Sequence, residues 1–126
     1  MVLRDAAWRW SPALAWAALI LFLGTRPAVA DLPFAAFPGL DKAAHAVVYG
    51  VLGFLAIRAL GTTGPWRALA WGAAIGLLWG FLDEWAQTAI PSRTAEVGDL
   101  LADMAGAAAG GWLGFRTPRV RARSQV

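Results

Sequence analysis

Apolar residues gather into four runs, about residues 8–24, 43–60, 66–82 and 100–115, with most charged residues at or beyond their ends. Each run approaches the ~17 to 20 residues with which a helix crosses ~30 Å of hydrocarbon. The pattern predicts an all-α polytopic membrane protein, a four-helix transmembrane bundle. The runs are slightly short, so thinned bilayer or snorkelling ends would complete the match. Trp8, Trp10, Trp66 and Trp112 fall near run ends, where indoles settle at a membrane interface. Trp71 and Trp79 fall mid-run and are expected to pack or to face lipid.

Composition agrees with lipid as the solvent. Of 126 residues, 59% are hydrophobic and 15% charged, against about a quarter charged in soluble domains. One small core cannot hide that much apolar surface. The length suits one unit, a single transmembrane domain over residues 1–126 whose last part, 116–126, is a basic cytoplasmic tail. The net charge of +3 does not signal nucleic acid, because the basic residues stand at run ends. The absence of cysteine removes disulfides, thiol nucleophiles and Cys-ligated zinc.

The charges are sorted by side. Arg4, Arg9, Arg58, Arg67, Arg116, Arg119, Arg121 and Arg123 share one side with a single acid, Asp5. The other side holds Arg26, Lys42 and Arg93 among Asp31, Asp41, Asp83, Glu84, Glu96, Asp99 and Asp103. The positive-inside rule puts both termini in the cytoplasm and the acidic side outward. The tail is read as a topology anchor touching anionic lipid. Arg4, Arg9, the first run and Ala28-Val29-Ala30 also have the layout of a cleavable signal peptide, which Arg26 and Pro27 argue against. The rest of the topology is the same under both readings.

Three polar clusters mark the outer ends of runs two, three and four. They are Asp41-Lys42-x-x-His45-x-x-x-Tyr49, Asp83-Glu84-x-x-Gln87 followed by Pro91-x-Arg93, and Asp99-x-x-x-Asp103. At ~100° per residue, a four-residue step advances only ~40°, so each cluster shares one arc of its helix. The same arcs turn small farther along: Gly53 in run two, Gly72, Gly76 and Gly80 in run three, and Gly106, Gly110 and Gly114 in run four. Small residues let membrane helices approach closely, so the faces expected to pack are the faces that carry the charges. Asp41 and Asp99 also suit helix N-caps. Glu84 and Asp103 are harder to explain as structure, because ionisable groups at membrane depth are costly and point to function.

In this order and spacing, the clusters resemble the VanZ-like family of small bacterial membrane proteins over roughly residues 20–115. The family pattern usually has Asn where this chain has Asp103. The resemblance implies a multi-pass protein of the bacterial inner membrane, with a link to tolerance of the glycopeptide teicoplanin. It implies no reaction.

Three readings of the outer site follow. In the first, Lys42, His45, Tyr49, Asp83, Glu84, Gln87, Arg93, Asp99 and Asp103 bind an envelope lipid headgroup or wall precursor. In the second, the protein is an interfacial enzyme acting on a lipid-linked or phosphorylated substrate. There His45 is a base oriented by Asp41, Glu84 is the general acid, and Lys42 and Arg93 stabilise developing negative charge. In the third, a homo-oligomer transports protons or cations through Glu84, although the inner halves of the runs show no polar relay. No standard metal-ligand spacing is present and no metal site is expected. Asp83, Glu84, Asp99 and His45 would be the ligands of any divalent ion. No cofactor is indicated.

Overall fold

A computed structural model describes residues 2–27, 32–33, 37–91 and 94–118. The described residues form four helices and no strand: α1 (Val2–Gly24), α2 (Leu40–Leu60), α3 (Pro65–Gln87) and α4 (Val97–Arg116). Each helix runs past its apolar run at one end or both, and α2, α3 and α4 each take in their polar cluster at one end. Backbone hydrogen bonding continues wherever side chains tolerate it, and it does not stop where hydrophobicity stops. Among the described residues, α1 and α2 are long and apolar enough to cross a membrane. The candidate cleavage site, Ala28 to Ala30, and the tail from Arg119 onward lie outside the described residues.

The α2–α3 connection is short because glycine makes it so. Gly61 closes α2 in the left-handed region at φ 72°, its N–H donating to the Ile57 carbonyl. Gly64 follows at φ 97°, and Pro65 opens α3 at its first position, where a missing N–H is harmless.

Helix directions follow from contacts at glycine positions. Gly106, Gly110 and Gly114 of α4 lie against the backbone of Ala46, Gly50 and Phe54 of α2, a steady parallel register. Gly72, Gly76 and Gly80 of α3 lie against Ala107, Asp103 and neighbouring residues in descending order, an antiparallel register. The α4 helix is therefore sandwiched between α2 and α3, and the Gly-lined faces read from the sequence are the faces that pack.

The α1 helix stands apart from this tight trio. It buries Ala13, Ala17 and Ile20 and is held by hydrogen bonds from side chain to backbone. The Trp16 indole donates to the Val48 carbonyl at 2.9 Å, and the Trp79 indole donates to the Ala17 carbonyl at 3.1 Å. Arg9 donates to the Ala59 carbonyl near the end of α2. At the same end Arg58 donates to the Thr117 carbonyl, so arginines meet helix C-termini, where cations are favoured. Trp79 thus packs, whereas Trp71 is exposed. Replacing Trp79 by Phe should loosen α1 by about 0.6 kcal/mol, the average worth of such a bond in a membrane. The chain has no cysteine, so spin labels can be placed on α1 and α4 at will. Their distance distribution should broaden in Trp79→Phe, and an unchanged distribution would remove the indole bond as the clamp.

The bundle is inside-out by the standard of a soluble protein. Among the described residues, the largest fully buried side chains are Tyr49, Ile57 and Asp103, while Trp66 is 81% exposed and Leu78 71%. Glycine, alanine and polar groups fill the centre, and large apolar side chains cover the outside. That distribution suits a lipid solvent.

Candidate functional site

The helix directions bring the N-termini of α2 and α4 and the C-termini of α1 and α3 to one end of the bundle. Asp41 and Asp99 lie in the first turns of α2 and α4, where the helix dipole favours negative charge. Neither is the N-cap. Gly39 and Glu96 hold those positions, without side-chain capping bonds. Asp41 and Asp99 turn instead to Lys42.

The Lys42 ammonium lies 3.3 Å from Asp41 Oδ2, 2.9 Å from Glu96 Oε2 and 3.2 Å from Asp99 Oδ1. Its three N–H donors match three carboxylates. Gly98 leaves room for the lysine stem, since a Cβ there would stand 2.7 Å from Lys42 Cε. Oxygens of Asp41, Glu96 and Asp99 all lie within 4.8 Å of one another, a spacing that suits a metal ion, and the lysine ammonium already sits among them. Sequence reasoning missed Glu96 as a site residue. The available signal was its position three residues before Asp99, on the same arc.

His45 is oriented by Asp103 and not by Asp41, which corrects the pairing expected from the sequence. His45 Nδ1 and Asp103 Oδ1 are 2.7 Å apart, and His45 Nε2 lies 4.0 Å from Asp99 Oδ2. The i, i+4 spacing within α2 suggested Asp41, but a parallel neighbour helix supplies a closer carboxylate. Asp103 is wholly buried, and its Oδ2 rests against Gly80, where a Cβ would come to 2.7 Å. The glycine of α3 thus makes space for the carboxyl group of α4.

Tyr49 stacks on the His45 ring with centroids 6.3 Å apart, and its hydroxyl donates to Asp83 Oδ2 at 3.3 Å. Gln87, one turn on in α3, faces the same carboxyl group. Gly24 at the end of α1 lies over both. Asp83 and Glu84 occupy the C-terminal part of α3, where its own dipole disfavours acids. Glu84 offsets this by accepting a hydrogen bond from the Glu96 backbone N–H at 3.2 Å, at the N-terminus of α4. One helix thus caps another. Glu84 Oε1 and Asp103 Oδ2 are buried without a hydrogen-bond partner.

The structure therefore gathers Asp41, Lys42, His45, Tyr49, Asp83, Glu84, Gln87, Asp99 and Asp103 at one end. Arg93 lies outside the described residues. The catalytic candidates separate: Asp41 serves Lys42, Glu84 serves the α4 terminus, and His45 is paired with Asp103.

Comparison with protein-family models matches residues 5–117 to VanZ/LLP1, nearly the whole chain. The chain belongs to the VanZ/LLP1 family. Neither the curated proteins nor the solved structures give a match. Family membership and the two apolar helices together point to a membrane protein of the VanZ type.

Proposed function

We propose that this VanZ-family chain crosses the bacterial inner membrane four times, with both termini cytoplasmic. In this reading its outward-facing polar end binds an envelope lipid headgroup or wall precursor. The observation that carries the binding reading is the convergence of three helix ends on one polar cluster, with Glu84 and Asp103 oxygens buried and unpartnered in it. Buried polar atoms of that kind are costly unless they serve a purpose. The sorting of charge along the chain supports the orientation. Envelope lipids and wall precursors on the outer side are also where glycopeptides act, which fits the teicoplanin link that the family resemblance carries.

Native mass spectrometry of the purified protein tests this reading. Wild type should retain a particular envelope lipid or precursor, and Glu84→Gln should lose it. Identical retention by both would overturn the reading. A second reading, an interfacial enzyme, draws on the pairing of His45 with Asp103, which fixes the ring and turns Nε2 toward the partly exposed Asp99. It requires a modified lipid or precursor in cells that vanishes with His45→Ala. Transport is the least supported. Below the site, α4 meets α2 and α3 through glycine and alanine backbone contacts, which leave no polar relay among the described residues.

A further inference from the structure

The hydrogen-bonding groups of the outer end are unevenly divided. Lys42 is the chain's sole lysine, and of the described acids all except Asp5 meet around it, His45 and Tyr49. The described titratable side-chain donors already have partners within the protein. The Lys42 ammonium has three carboxylates, His45 Nδ1 has Asp103, and the Tyr49 hydroxyl has Asp83. Arg26, the other described cation at this end, stacks over the Phe22 ring. Free capacity lies with the acceptors. Glu84 is 7% exposed, reaches the Glu96 backbone with one oxygen and leaves Oε1 unpartnered. The Glu96 side chain is half exposed and offers its carboxylate to the outside.

We infer that the group seated here is an ammonium carried on a phosphate-bearing headgroup, taken into the Asp41–Glu96–Asp99 cluster in exchange with Lys42. This rests on the reading that this end binds an envelope headgroup. The cluster's fitness for an ammonium is visible, since Lys42 Nζ sits 2.9 to 3.3 Å from three carboxylates. Exchange conserves charge. The ligand ammonium replaces the lysine's, and Lys42, on a flexible and partly exposed stem, turns outward to the phosphate. Glu84 Oε1 supplies a further acceptor at the α4 terminus. A purely anionic headgroup gains nothing comparable, because it would draw Lys42 away from three carboxylates and put another anion beside them.

The test uses the full chain in nanodiscs, with retention of phosphatidylethanolamine and phosphatidylglycerol compared by native mass spectrometry. Phosphatidylethanolamine should be retained about tenfold better, the worth of a hydrogen bond to a charged group. Glu96→Gln and Asp99→Asn should each reduce that preference. Soluble phosphoethanolamine separates the sources. Competition by it would show that the headgroup chemistry suffices, and retention without competition would show that the ammonium is recognised on a lipid. Phosphatidylglycerol retained preferentially, and lost with Glu96→Gln, would overturn the ammonium assignment and leave the binding reading standing. Wild type retaining neither lipid above the Glu96→Gln background would overturn the ammonium assignment together with the lipid-headgroup form of the binding reading.

Discussion

Gly110→Ala should destabilise the bundle by about 3 kcal/mol, while Gly50→Ala at the same crossing should be near neutral. The two residues face each other between α2 and α4, yet the space around them is not equal. A Cβ on Gly110 would run into the Gly50 backbone oxygen, carbonyl carbon and Cα, whereas a Cβ on Gly50 would meet the Gly106 carbonyl oxygen at 3.4 Å. Intrinsic propensity opposes the clash, because Ala is favoured over Gly in a helix by about 1 kcal/mol. That gain offsets the mild contact at Gly50. At Gly110 the obstacle is backbone, which cannot rotate away, so the helices must separate. In lipid, close packing is itself what holds helices together, so separation removes the main source of cohesion. Gly110→Leu and Gly76→Leu should be worse still. Unfolding in mixed micelles, followed by circular dichroism, checks the pair. Equal stability of Gly50→Ala and Gly110→Ala would mean that α2 and α4 do not pack in this register.

That register is partly legible in the sequence. A four-residue glycine spacing states which face of each helix can approach a neighbour, and Gly72, Gly76, Gly106 and Gly110 state it correctly. The clusters at Asp41, Asp83 and Asp99 mark one end of the bundle for the same reason, since spacing within one helix is a property of the chain alone. Which residue meets which across helices is not legible. His45 has an acid one turn away in its own helix, and although four spans make α2 and α4 parallel, the sequence carries no sign that they touch in a register that brings Asp103 nearer. Glu84 looks like a chemical group because an ionisable side chain at membrane depth is costly. Its partner is the backbone of Glu96, and backbone atoms leave no trace in a motif. Trp16 is invisible as a clamp for the same reason, because its partner is the Val48 carbonyl.

The second large effect is expected at Asp103, where the chemistry of the substitution matters more than its size. Asp103→Leu should cost about 3 kcal/mol, an unpaired donor and an overpacked contact together. It takes away the acceptor 2.7 Å from His45 Nδ1 and leaves that partly buried nitrogen beside an alkyl group. The branched side chain would also press on Gly80, where Asp103 Oδ2 now fits. Asp103→Asn should behave differently. An amide oxygen can accept from His45 Nδ1–H as the carboxylate does, and the shape is kept. Its cost should stay below about 1.5 kcal/mol, the worth of an ordinary hydrogen bond. Thermal melting in detergent separates the two variants, and nitrogen NMR of the sole histidine reports whether Nδ1 still carries the bonded proton. A tautomer kept in Asp103→Asn and lost in Asp103→Leu would establish that an oxygen acceptor from α4 orients His45. If Asp103→Leu melted with wild type and kept the same histidine signal, the ring would be held by its stacking on Tyr49 instead, and the enzyme reading would lose the observation it rests on.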